Sequence, residues 1–560
     1  MKNSRLTKVT TAFSAAIVLL LAGCASIPSS SGVQLGSDIT KNVATDFLYF
    51  SPYAPPVGAS ISELLAGFLS AGTGPQNDYL VAREYLASNL KTTWLPSQEV
   101  VVADTNPEIS VEGTSAVVNV QSTAVIDAGG RMSLSLSGNN REYSFGFVKE
   151  GGQWRINKAP NLTIVSRPVF DVVFKSYALY FLDSQKHYLV PDTRWFPSRA
   201  STATRLVNGL IAGPASWLGD SLYNPIPAGT KLAVDAVTVS NGVASIDFNG
   251  KFLLASSAAR GQIKAQIDAT LGQIAGVRST QISADRNVQD ILKFEPKVLP
   301  AVTLSPVVLT KDSLAYASGN ALNEIDSAKA AVSKLKPSDF ALTSDNNLAA
   351  FTGSSGLHMV TLENFGSETV LLDPNPDLLS PIFDRQGWLW SVGSAVSPQI
   401  KVFSKTGTEH SLQLLDFDRR KILSYSVSPE GARFAAVVEA KGKNEIWLFG
   451  ITRTKTGLPS ALSERVVIPS AILNATTVAW LDGSKLGLLS QSKAGWSQPT
   501  EINIGGFEQP ITGLQGLQQF IGNNPSGARF ALNDKGVLFQ YRNSTWVAVQ
   551  SEIQKVHYSQ

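Results

Sequence analysis

Cysteine is almost missing from this chain: Cys24 is the only one in 560 residues. That excludes a disulfide framework, so folding must rest on ordinary apolar cores. Histidine is nearly as scarce. His187, His358, His410 and His557 lie far apart in no metal-ligand spacing, and each reads as a surface or internally satisfied residue, with no metal or cofactor expected. The H-E-x-x-H, G-x-S-x-G and phosphate-cradling glycine patterns are absent, so no catalytic set is expected. Charge is sparse too, at 16% of residues, with 47 basic against 44 acidic and a net charge of +3. Without a Lys/Arg cluster interleaved with aromatics, nucleic acid is not expected as a partner. Hydrophobic residues make up 43%, enough for a β-rich globular protein of about three domains.

The lone cysteine is placed where chemistry wants it. Lys2, Arg5 and Lys8 precede an uncharged apolar run over 13–22, and Leu21-Ala22-Gly23-Cys24 closes it. A positive start, a short apolar stretch and small residues at the end form the layout of a secretory signal peptide. The run is too short to span a bilayer, which takes about 18–20 apolar residues, and no later segment is long and apolar enough. Leu21–Cys24 resembles the bacterial lipobox. The resemblance implies a palmitate-type diacylglycerol on the Cys24 thiol and peptidase cleavage between Gly23 and Cys24. The mature protein would sit on the outer face of the cell membrane. Residues 24–40, rich in Ser with Pro28 and Gly32, read as a flexible linker.

Three folded units are expected after it. In 41–165, Ile61, Leu64, Leu65, Phe68 and Leu69 recur at helical spacing, as do Tyr79, Ala82, Tyr85 and Leu86. Alternation then takes over around Val118 and Val120, and Lys149-Glu150-Gly151-Gly152-Gln153 turns a hairpin into Trp154-Arg155-Ile156. Helices followed by a meander with "G-x-W-R-I" resemble the NTF2-like α+β fold.

In 170–295, a helix is expected over 201–212, capped by Ser201 or Thr202 and stopped by Gly213-Pro214. Strands over 232–239 and 243–248 flank Asn241-Gly242, a two-residue hairpin signal. A second helix (258–274) and a strand (277–284) close the unit. "R-L-V-N-G-L-I-A-G-P-A-S-W-L" from Arg205, "I-P-A-G-T-K-L" from Ile226 and "N-G-V-A-S-I-D-F" from Asn241 resemble the GerMN domain, a module of spore-germination and envelope lipoproteins not known for catalysis of its own.

Residues 300–560 repeat a strand, a tight Asp/Pro/Gly turn and a second strand. The turns start at Thr310, Thr343, Phe383, Ser428, Leu481 and Asn524, roughly 30 to 50 residues apart, the period of one propeller blade. Two of them share Gly-Ala-Arg-Phe-Ala, and "S-P-x-G-x-R-F-A" looks like propellers of the TolB type. Six blades are expected, or seven if residues 298–304 or the C-terminal strands complete another. Trp390, Trp447, Trp480, Trp496 and Trp546 are expected between blades. Asp312, Asp345, Asp384 and Asp482 sit in the turns, where their plain role is to accept backbone N–H groups. Ser333-Lys334-Leu335-Lys336, Ser344-Asp345-Asn346 and Lys405-Thr406-Gly407 mimic the three penicillin-binding motifs. The first two lie too close together, and the second belongs to a blade turn, so the match reads as coincidence.

Lipobox, NTF2-like module, GerMN domain and six- or seven-bladed propeller, in that order, resemble the actinobacterial LpqB family of lipoproteins. The resemblance implies a non-catalytic accessory that binds the extracellular domain of a sensor histidine kinase of a two-component system in envelope homeostasis. Two alternatives stand beside it. One is a protein binding a cell-wall glycan or peptidoglycan fragment in the cone or the propeller channel. The other is a propeller-based hydrolase, which needs two or more carboxylates converging on the channel. Trp195, Phe196 and Trp217 stand as either partner anchors or core.

Overall fold

Ser60 starts the first helix, Ile61–Ala71, by reciprocal capping. Its hydroxyl accepts from the Glu63 N–H, and the Glu63 carboxylate accepts from the Ser60 N–H at 2.9 Å, a motif worth about 1 kcal/mol. The structure is a computed structural model. It describes residues 52–560 apart from breaks at 199–200, 298–304, 363–367, 413–416, 418, 441, 473, 492–494, 523–526 and 560. The lipobox expectation, with Cys24 and the Gly23 cleavage position, falls outside the described residues. So do residues 298–304.

The apolar stripe of that helix, Leu64, Leu65 and Phe68, packs with Tyr79, Ala82, Tyr85 and Leu86 on a sheet. The sheet runs Gln153–Lys158, Met132–Glu150, Ser115–Asp127, Glu99–Ala103, Thr163–Ser166, with Glu108–Glu112 added to Ser115–Asp127. Gly151 and Gly152 both have positive φ, 57° and 78°, which is what a tight two-residue hairpin requires. Ser115–Asp127 alternates in burial along its length. Ala116, Val118 and Val120 lie under the helices, whereas Ala124 and Ile126 lie under Phe170 and Phe174. The second half of this sheet is thus the seat for the start of the middle module.

The middle module is α+β. Phe174–Asp183 and Leu189–Pro197 pair antiparallel. A second sheet orders Thr238–Ser240, Val243–Phe248, Ser279–Ala284 and Asn287–Val288. Its two central strands are parallel, and the helix Ser257–Leu271 makes the crossover such a pair needs. Asn241 and Gly242 take φ of 53° and 83° and form the expected turn. Two local expectations are corrected. Over 232–239 only Thr238–Ser240 forms a ladder, with Leu232 making a lone bridge to Phe248. The backbone between is spent elsewhere: the Ala236 N–H turns back to the Val234 carbonyl, and the Val237 N–H goes to the Thr204 hydroxyl. The helix Thr202–Ala212 lacks a side-chain cap from Ser201, and the Thr202 hydroxyl instead donates to the Pro197 carbonyl at 3.0 Å.

Six sheets of four or five strands come next among the described residues. Five are consecutive in sequence, starting at Asp339, Ile382, Ile422, Ala475 and Leu517. The first blade is composite. Val307–Leu309, Leu314–Ser318 and Ala321–Ile325 are completed by Lys555–His557 from the far end of the chain, with Val307 opposite His557 and Leu309 opposite Lys555. The C-terminal strand therefore closes a six-bladed ring and builds no seventh blade. Each neighbouring pair of blades shares an apolar layer. Trp390, Trp447 and Trp480 fill these layers as expected. Trp546 is half-buried. Trp496 is corrected: 49% of it is exposed, because it lies at the start of its strand where the ladder meets the short strand Leu514–Gln515.

Candidate functional site

Two places in the propeller gather chemistry. One is the face made by the repeated turns; the other is the channel between the innermost strands.

On the turn face, the motif residues bond each other and then reach outward. In Ser428-Pro429-Glu430-Gly431, Gly431 takes φ 77° and the Ser428 hydroxyl accepts from the Arg433 N–H at 3.0 Å. Arg433, 1% exposed, donates to Glu430 at 2.8 Å, to the Gly483 carbonyl of the next blade at 2.6 Å and to the Pro191 carbonyl of the middle module at 3.4 Å. Gln185 donates to the Thr454 carbonyl at 2.8 Å, and Trp195 Nε1 to the Gly505 carbonyl at 2.6 Å. Ala432 belongs to the middle module's core. The turns of the fourth and fifth blades are thus a docking surface already occupied from within the chain. Trp195 also packs on Phe170 and on Phe507, with ring centroids 5.1 and 6.3 Å away, in a cluster that includes Ala124 and Ile126 of the N-terminal sheet and so joins all three modules. Trp195, Phe196 and Trp217 are core and half-buried junction residues, not exposed anchors.

Three of the four turn aspartates serve the backbone. Asp384 accepts from Gln386 N and Trp388 N, and its other oxygen from Trp390 Nε1 and Arg453 Nη2 at 2.7 Å. Asp345 and Asp482 accept from Asn347 N and Ser484 N. Asp312 is exposed in its turn. None of the four lines the channel. The penicillin-binding mimic is dispersed: Ser333 is near the end of the helix Lys329–Leu335, 344–346 is a blade turn, and 405–407 is a turn of the next blade.

The channel is a cavity of about 300 Å³ to which every blade contributes its innermost strand. Ser380, Ser424, Thr477, Gln518, Lys555 and His557 are among its polar lining residues. Asp339 anchors that lining from behind. It accepts from the Ser380 hydroxyl at 2.6 Å and pairs with His557 Nε2 at 2.7 Å and Lys555 Nζ at 3.5 Å. Burial pushes the Asp339 carboxyl up, but His557, Lys555 and Ser380 outweigh it and hold the pKa down to about 2 from 3.8. A carboxyl depressed on folding contributes stability above its unfolded value and loses it as pH falls through the folded one. About 2 kcal/mol is at stake by that linkage. We expect unfolding midpoints of the wild type to drop steeply between pH 4 and 2 and Asp339→Asn to flatten that limb. Parallel acid limbs in a thermal-melt series would disprove the role. Sequence reasoning missed Asp339. Its partners lie 218 residues away for His557 and 41 for Ser380.

Elsewhere, His187 lies edge-on to Tyr188 and His410 edge-on to Trp388, and His358 is half-buried, its pKa lowered chiefly by that burial. Among the described residues no three His, Cys, Asp or Glu side chains are grouped to hold a metal, and no helix is long and apolar enough to cross a membrane.

Three family models match the chain in order. Lipoprotein LpqB, N-terminal domain, matches 54–171; sporulation and spore germination, 178–290; and the Lipoprotein LpqB beta-propeller domain, 312–555. The chain belongs to the LpqB lipoprotein family. LpqB lipoproteins of Cutibacterium acnes and Bifidobacterium longum are each 26% identical, covering 88% and 89% of this chain and 88% of their own lengths. That of Nocardia farcinica is 24% identical over 97% of this chain and 96% of its own. Among solved structures, TolB from Acinetobacter baumannii aligns with 46% of this chain and 66% of its own at 13% identity (TM-score 0.34). The first GerMN domain of GerM from Bacillus subtilis aligns with 22% of this chain and 96% of its own at 20% identity (TM-score 0.19). The LpqB relatives are named as lipoproteins.

Proposed function

We propose that this LpqB-family protein is held to the outer face of the cell membrane by a diacylglycerol on Cys24 and works there as a non-catalytic accessory. It binds the extracellular domain of a sensor histidine kinase and biases signalling by differing affinity for the kinase's two states. The observation that supports this most is the Leu21-Ala22-Gly23-Cys24 lipobox on a chain with family relatives over 88% of its length. Two acyl chains anchor stably where one does not, and a tether raises the effective concentration near a membrane partner, so a weak interface suffices. Mutual packing of the three modules favours a platform over three independent binders.

The test is crosslinking in living cells of the wild type and of Cys24→Ala, then denaturing purification and identification of what is bound. One sensor kinase, crosslinked outside the membrane and lost with Cys24→Ala although the variant still folds, is the expected result. Equal recovery and full signalling with the unlipidated variant would refute the tethered mechanism. The polar channel lining of Lys555, His557 and Gln518 favours a second reading, a cell-wall glycan ligand. Glycan recovered without a kinase would put that reading first.

A further inference from the structure

Where the three modules meet there is a cavity of about 380 Å³ that receives one arginine from each: Arg131, Arg194 and Arg433. Arg433 is partnered at all three nitrogens, by Glu430 and the carbonyls of Gly483 and Pro191. The other two are not. Arg194 is 1% exposed; its Nη1 donates to Asp192 and to the Thr193 carbonyl, and its Nη2 has no partner among the described residues. The second Asp192 oxygen is turned to another partner, accepting the Ala215 N–H at 2.8 Å. Arg131 reaches Asp127 only at 3.7 Å through Nη1, and its buried Nε is also without a partner.

A buried N–H left unpaired costs about 1–3 kcal/mol, more when it is charged. Two such groups on arginines lining one cavity mark a site short of acceptors. Guanidinium groups favour the paired oxygens of phosphate and carboxylate over neutral acceptors. The rest of the wall is apolar, with Leu134, Trp217, Leu448, Val466 and Ile468. The volume is within the range of about 300–1,000 Å³ typical of small-molecule sites.

We propose that this junction binds the oxyanion head of an amphiphile: a phosphate between the arginines, with a short apolar tail along the wall. The head comes either from a lipid or from a soluble phosphate compound, and the experiment separates them. Each module supplies part of the site, so occupancy fastens their mutual seating and raises stability by mass action. The proposal is independent of the kinase reading.

The probe is octyl phosphate below its micelle concentration, titrated calorimetrically into the full chain carrying Cys24→Ala. Octyl glucoside serves as the neutral amphiphile and inorganic phosphate as the head alone. Binding of one octyl phosphate per chain is expected, about tenfold or more tighter than either control, a gap of at least about 1.4 kcal/mol. Arg131→Gln, at a half-exposed side chain, should weaken it about tenfold while leaving the ligand-free unfolding midpoint in place. Arg194→Lys tests the buried partner. Equal binding of octyl phosphate and octyl glucoside would overturn the anion site, as would an unchanged affinity in Arg131→Gln. Inorganic phosphate binding as tightly as octyl phosphate would overturn the amphiphile and leave a soluble phosphate site.

Discussion

Replacing Asp384 by alanine is expected to destabilise the propeller by about 3–5 kcal/mol, the cost of leaving one member of a buried ion pair alone. Asp384 and Arg453 are 0% and 1% exposed at their side chains and 2.7 Å apart. The pair crosses from the third blade to the fourth, where Arg453 also donates to the Gly431 carbonyl at 2.7 Å and the Gly457 carbonyl at 2.9 Å. The same carboxylate holds Trp390 Nε1 and two turn N–H groups. The substitution therefore strands a guanidinium, an indole N–H and a turn together. Asp384→Asn keeps the shape and some of the acceptors, and should cost less. Asp345→Ala, in the corresponding turn of the second blade, has no buried cation to strand and should cost about 1 kcal/mol. Urea midpoints of the three variants rank them, and equal losses for Asp384→Ala and Asp345→Ala would remove the ion pair as the cause.

Ending the chain at Glu552 is expected to open the ring. Residues 553–560 supply Ile553 and Val556, 3% and 0% exposed, to the layer between the first and sixth blades. They also supply a three-residue ladder to Val307–Leu309, two bonds between Gln519 and Val556, and the Lys555 and His557 partners of Asp339. Each of the two side chains is worth about 1.5–3 kcal/mol and each hydrogen bond about 1 kcal/mol. Together these approach the stability of a whole domain, about 5–15 kcal/mol. We expect the truncated chain to lose cooperative unfolding of the propeller and to be cut by protease in the first and sixth blades. The N-terminal and middle modules, with cores of their own, should survive as a resistant fragment. A truncated chain as resistant as the full one would show that the C-terminal strand is not the closure.

Much of the fold is legible in the sequence because local patterns carry it. The helical spacing of Leu64, Leu65 and Phe68, the hairpins at Gly151-Gly152 and Asn241-Gly242, and the blade turns depend on side chains a few residues apart. The Gly-Ala-Arg-Phe-Ala repeat is visible there, but its reason is not. Arg433 and Arg529 each reach a neighbouring blade, to the Gly483 carbonyl and to Glu501, and only the ring brings those groups near. Trp496 was misplaced for the converse reason: a tryptophan's apolar bulk does not say which strand end it occupies.

By itself, the sequence determined a lone cysteine at the end of an uncharged apolar run, a multi-domain β-rich chain and no disulfide, since these come from composition and from patterns read over a few residues. Tertiary structure alone decided that the last strand closes the first blade, that the middle module covers the turns of the fourth and fifth, and that three arginines share one cavity. Those outcomes join residues tens to hundreds of positions apart. They are settled by which surfaces can be buried together without stranding a charge or an N–H, and that depends on the whole fold.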